Sequence, residues 1–142
     1  MFYKRHLQDY QAADRTRTNK NMSEHDQQSA VVQWWEAKYP KLSLCLMAYP
    51  SGAIIGGRNK WGLISKLKKE GWRKGVPDLF VAVPKNGKYG LWVEMKDEGK
   101  DEKDVTTEQA EYLDLMHQMG YEAIWCAGAG VAIAAIEVYM NS

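Results

Sequence analysis

Asp78 closes the run Gly75-Val76-Pro77-Asp78, and Glu94-Met95-Lys96 follows sixteen residues after Asp78. Each piece lies at the edge of an apolar stretch that reads as a strand. Two carboxylates can hold a divalent cation between them. A lysine on the face of the second carboxylate can steady an attacking hydroxide or a phosphate. That is the equipment for metal-assisted phosphodiester hydrolysis.

A hairpin must bring these residues together. Leu79 to Val83 reads as one strand and Tyr89 to Lys96 as its partner, joined by Pro84-Lys85-Asn86-Gly87-Lys88 with Asn-Gly at the centre. A turn centred there places Asp78 opposite the Glu94 to Lys96 segment, with residue 95 at the midpoint. Period-two alternation puts Glu94 and Lys96 on one face and Met95 on the other. Leu91-Trp92-Val93 brings Glu94 close to the core. Taken singly, each charge reads as a turn residue or a solvated salt bridge. Three converging at one sheet edge favour a site.

The other elements frame that hairpin. Ser23 with Asp26 resembles a capping box, opening a helix that runs to about Lys38 before Pro40. Glu24, Gln28, Val31 and Trp35 fall on one face of it, so Glu24 and Gln28 are expected to point inward, where a carboxylate needs a cation. Leu42 to Tyr49 reads as a buried strand, residues 50–60 as a Gly-rich loop, and Trp61 to Lys69 as a short amphipathic helix ending at Gly71. Thr106 with Gln109 forms a second capping box, for a helix to about Met119. A strand over Tyr121 to Cys126 and an apolar helix over about Val131 to Met140 complete the chain. The expectation is one α/β domain over 23–142, a mixed sheet with flanking helices. Residues 1–22 read as a flexible polar, basic arm.

The 142 residues suit one domain with its own core. No apolar run approaches the roughly 18 residues of a membrane span, and the opening has no apolar leader core. Cys45 and Cys126 lack metal-ligand spacing and sit in apolar surroundings. Buried thiols in a reducing cytoplasm, with no membrane partner, are therefore expected. The net charge of +1 conceals two opposed segments. Residues 58–74 hold seven cations against one acid, a balance of +6, and residues 97–111 hold seven acids against two lysines, a balance of −5.

Gly75-Val76-Pro77-Asp78-Leu79 followed by Trp92-Val93-Glu94-Met95-Lys96 resembles the PD-(D/E)xK nuclease superfamily, and the whole frame is similar to its VRR-NUC branch. Glu24 and Gln28 in an opening helix, the lysine-rich approach to Val-Pro-Asp, and Thr-Thr-Glu-Gln opening a later helix extend the likeness over roughly residues 22–140. The resemblance implies a restriction-endonuclease-like αβββαβ core. It implies that Asp78, Glu94 and the Met95 carbonyl ligate Mg²⁺ or Mn²⁺, with Glu24 reaching the ion directly or through water and Lys96 preparing the attacking water. Gln28 and Gln109 are candidates for supporting the site; for Gln109 the capping box stands as an equal alternative.

A phosphodiesterase needs cations beside its site. Arg58, Lys60, Lys66, Lys69 and Arg73 are the expected DNA contacts, set against a solvated helix face. Trp61 and Trp72 read as core rather than base-stacking residues. His6, His25 and His117 form no ligand cluster, and Gly128-Ala129-Gly130 is a turn. The resemblance further implies a structure-specific DNA endonuclease like phage-type Holliday-junction resolvases, working as a homodimer on branched DNA in a bacterial or phage-infected cytoplasm. The rivals are a monomeric flap, nicking or single-strand nuclease, and an idle DNA-binding module.

Overall fold

The computed structural model describes residues 22–52 and 54–142. The expected arm lies outside them apart from its last residue, Met22. In chain order the elements are α1 (Glu24–Lys38), a 3-10 helix (Pro40–Cys45), β1 (Leu46–Ala48), α2 (Lys60–Lys69), β2 (Leu79–Val81), β3 (Leu91–Lys96), a short 3-10 helix (Glu102–Asp104), α3 (Thr107–Gln118), β4 (Glu122–Ala127) and α4 (Ala129–Met140). The four strands form one mixed sheet in the order β1-β2-β3-β4. β2 pairs antiparallel with β1 and, as a hairpin, with β3, and β3 and β4 are parallel because α3 carries the chain back between them.

The sheet has two covered faces. Val93 and Met95 of β3 join Val31 and Trp35 of α1 and Ala132 and Ile136 of α4 in the larger core. Leu113 of α3 meets Ala123, Trp125 and Trp92 on the other face. Each fully buried aliphatic side chain contributes roughly 1.5–3 kcal/mol. Alternation along β3 therefore sends Glu94 and Lys96 to the α3 face.

Two helices start as the capping boxes require. The Ser23 hydroxyl accepts from Asp26 N at 3.1 Å, and the Thr106 hydroxyl accepts from Gln109 N at 3.2 Å. The stripe on α1 differs from the expected one. Gln27, Val31 and Trp35 are its buried residues, whereas Glu24 is exposed and Gln28 half-buried. Spacing of four residues keeps these three nearly in line; the expected inward Gln28 is one position out of it.

The apolar run after Pro40 is also different. It opens as a 3-10 helix, leaving only Leu46–Ala48 as an edge strand, with Leu44 90% exposed. Proline presets the first helical φ, and the Trp35 indole N–H donates to the Leu42 carbonyl at 2.9 Å. That bond holds the segment under α1 instead of releasing it into the sheet. The final helix, together with Met116 and Ile133, packs on the cores rather than forming a free apolar face. Among the described residues no helix is long and apolar enough to cross a membrane.

Candidate active site

The site is built where the β2–β3 ladder runs out. Leu79 pairs with Val93, so Asp78 and Glu94 come one step beyond the last pair, on one face. The turn itself pairs Lys85 with Lys88, while Val81 pairs with Leu91. The first strand therefore carries one more residue than the second between those pairs. This extra residue puts Glu94, not Met95, across from Asp78. On the same face Phe80 stacks on Trp92 with centroids 4.3 Å apart, which pins the register. Asn86 and Gly87 supply the left-handed turn, at φ 46° and 77°.

Asp78 Oδ2 accepts from the Met95 backbone N–H at 2.8 Å. A strand residue directs its N–H and C=O to the same edge, so the Met95 carbonyl also faces the space past the end of β2. On the other side, Tyr49 N donates to the Asp78 carbonyl at 2.9 Å. Gly75 is the backbone hinge into this segment. Its φ is +87°, and a Cβ there would lie 2.8 Å from the Glu108 backbone. A side chain at this position would push the Val-Pro-Asp segment away from the start of α3.

Glu94 is only 3% exposed. Lys96 Nζ lies 3.3 Å from its Oε1, and Gln109 Nε2 donates to the same oxygen at 2.6 Å. Gln109 Oε1 accepts from Lys96 Nζ at 3.0 Å and from Thr106 N at 2.9 Å. The two readings of Gln109 are thus both realised: it caps α3 and braces the carboxylate–lysine pair.

Burial pushes the Glu94 carboxyl up to about 8, and the Asp78 charge adds to the rise against the opposing pull of Lys96. Burial likewise raises Asp78, opposed by the Met95 N–H and by Lys96. Glu24, exposed as a residue but with its carboxyl partly shielded from solvent, is raised by that shielding and by Asp78. Three mutually repelling carboxyl groups therefore share one lysine, a local excess of negative charge. This donor set suits a hard divalent cation, which binds oxygen and neutralises such an excess. Among the described residues no three His, Cys, Asp or Glu side chains converge on one point. Asp78, Glu94 and the Met95 carbonyl are thus the fitting donors, with Glu24 coupled to them from the rim.

The carboxylates open into a cleft of about 450 Å³. Of the five expected DNA contacts, Lys60 and Arg73 line it; Arg58, Lys66 and Lys69 do not. Lys66 lies 4.0 Å from Glu70 on the exposed surface. Lys68 and Lys74, not selected from the sequence, do line the cleft, and Lys74 is 3.4 Å from Glu108. Lys68 stands at i, i+3, i+7 spacing with Trp61 and Ile64, a signal that helix periodicity could have supplied, whereas Lys74 lies beyond the end of α2. Trp61, expected in the core, is 77% exposed. Gln28 has its neighbour Gln27 as the working residue: Gln27 Oε1 accepts from Ala129 N at 2.7 Å. It thereby caps α4, whose own N-cap, Gly128, has no side chain. His25 takes no part in the arrangement described, and His117 pairs with Glu122 at 3.2 Å.

Comparison with known proteins bears on the family and the fold. The model of the VRR-NUC domain matches residues 8–130. A solved structure described as a VRR_NUC domain protein has the same fold, with a TM-score of 0.72 at 24% identity over 86% of this chain and 91% of that one. No curated protein matches.

Proposed function

The chain belongs to the VRR-NUC family of nucleases, and from that premise we propose that it is a divalent-metal-dependent DNA endonuclease acting on branched DNA. The observation that carries the reading is the meeting of Asp78, buried Glu94 and Lys96 at the open end of the β2–β3 ladder. Asp78, Glu94 and the Met95 carbonyl are the residues that would hold Mg²⁺ or Mn²⁺. When bound, such an ion lowers the pKa of water and offsets charge on the phosphate undergoing attack.

The protein's own groups do the rest. Lys96 orients the nucleophilic water and opposes charge on the phosphate. Gln109 holds Lys96 and Glu94 in one arrangement, so neither has to reorganise during reaction. Glu24 adds negative potential at the rim, through water. Lys60, Lys68, Arg73 and Lys74 draw the strand's phosphates along the cleft. Symmetric cutting of a four-way junction requires two such sites, hence a homodimer. The final helix packs largely on the core, and edge strand β1, with Met47 exposed, offers such a dimer one surface.

A second reading, a monomer acting on flaps or single strands, is favoured by the exposed Trp61 in the cleft wall.

The test is to incubate wild type and Glu94→Ala with labelled four-way junction, flap, single-stranded and linear duplex DNA. Each is run with Mg²⁺, with Mn²⁺ and with EDTA. Metal-dependent cutting by wild type alone is expected, with the junction preferred. A preference for flap or single strand selects the second reading. Binding without cutting of any substrate would make this an idle binding module.

A further inference from the structure

The cleft that contains Asp78 and Glu94 has a second, aromatic part that the hydrolytic chemistry does not use. Tyr49, Trp61 and Trp72 line it. Trp72 is held in place: its indole N–H donates to the Pro50 carbonyl at 2.9 Å, and the ring packs on Gly52, where a Cβ would stand 3.5 Å from it. The following Arg73 N–H donates to the Tyr49 hydroxyl at 2.9 Å.

Trp61 is the opposite case. It sits on the first turn of α2, 77% exposed, with the Lys60 ammonium 5.6 Å from the ring centroid. An indole this open gains nothing from the core, yet it stands beside cations in the wall of the catalytic cleft.

Aromatic faces flanked by lysines are how single-stranded nucleic acid is held. The rings stack on bases and the cations follow the backbone. A paired base inside a duplex has both faces covered by its neighbours. Only an unpaired or extruded base offers a free face. A cleft of about 450 Å³ lies in the range of small-ligand pockets, room enough for a single nucleotide.

We propose that Trp61 is a stacking platform for an unpaired base of the strand being cut. The substrate class is then DNA with an unpaired nucleotide close to the scissile phosphate. This inference rests on the nuclease activity shared by both readings above, and it favours the second, action on flaps or single strands, over the fully paired junction. Lys60 and Lys68 hold the phosphates flanking that base, with Asp78 and Glu94 at the reacting one.

The experiment uses the full chain as wild type, Trp61→Ala and Trp61→Phe. Binding is measured by anisotropy with Ca²⁺ in place of Mg²⁺, on a fully paired duplex and on a flap substrate. The flap carries 2-aminopurine at each unpaired position in turn. Wild type should quench the probe at one position. Trp61→Ala should lose the quench and bind the flap about tenfold more weakly, with duplex affinity changed less than about twofold. Trp61→Phe should restore most of both signals. Trp61 is exposed, so melting temperatures should match, which separates stacking from unfolding.

A flap affinity unchanged in Trp61→Ala, equal losses on paired and unpaired DNA, or no quench by wild type would each overturn the platform. If wild type quenches the probe but cuts nothing with Mg²⁺ or Mn²⁺, the platform stands and the nuclease reading falls. If wild type cuts and Trp61→Ala behaves identically, the nuclease reading stands and the platform falls.

Discussion

The Gln109 amide donates to Glu94 Oε1 at 2.6 Å from the first turn of a helix that the same side chain caps. One residue thus ties the start of α3 to the buried carboxylate. Gln109→Ala should lower kcat about 10- to 100-fold, the usual cost of losing a partner to a metal ligand, and raise the metal concentration needed for half-maximal cleavage. Single-turnover cleavage over a Mg²⁺ titration reads both. A lower melting temperature with unchanged kcat would reduce Gln109 to a cap.

Glu94 should cost the metal-free protein stability. Its folded value of about 8 lies above the ordinary 4.5. The folded state therefore keeps a proton that the unfolded chain has already released. The stability linked to this group is fully present below 4.5 and is lost as pH rises to about 8. In EDTA, Glu94→Gln should melt roughly 3 °C or more above wild type at the alkaline end of this window and should flatten the pH dependence of melting across it; with Mg²⁺ present it should abolish cleavage. Thermal melts across the window decide; a Glu94→Gln protein less stable than wild type in EDTA would show the carboxylate to be a net structural contributor.

Lys68→Glu and Lys66→Glu should part company, although the two lysines are two positions apart on one helix. Lys68 lines the cleft and Lys66 faces Glu70. Lys68→Glu should weaken DNA binding and reduce the slope of log K against log salt by about 1, with Lys66→Glu close to wild type. Equal effects would mean that DNA follows the whole basic helix and not the cleft.

Gln27→Leu should destabilise the fold by about 1–3 kcal/mol, because it leaves the buried-side Ala129 N–H without its acceptor. Urea denaturation measures this. A neutral result would show that water replaces the glutamine oxygen at the start of α4.

Much of the fold was legible from local signals. The capping boxes at Ser23 and Thr106, the Asn86-Gly87 turn and the alternation along Leu91–Lys96 act over a few residues, and each is realised. The meeting of Asp78 with Glu94 was legible for the same reason, since a short hairpin leaves its strands little choice of partner. Less legible were features set by distant contacts. Leu42 to Cys45 has the composition of a strand but is captured by the Trp35 indole.

The sequence by itself determined the chemistry available: two carboxylates, a lysine and a hairpin to join them, because type and spacing are local properties. Only the tertiary structure decided which residues serve it. The extra residue between turn and ladder chose Glu94 over Met95 as the residue across from Asp78. Packing of α1 against α4, about a hundred residues away, chose Gln27 over Gln28. The docking of α3 made a helix cap into a brace for the site. The cleft wall chose Lys68 and Trp61, one over its equally basic neighbours and the other over a place in the core. Each choice depends on surfaces brought together by folding, and periodicity along a single element carries no record of them.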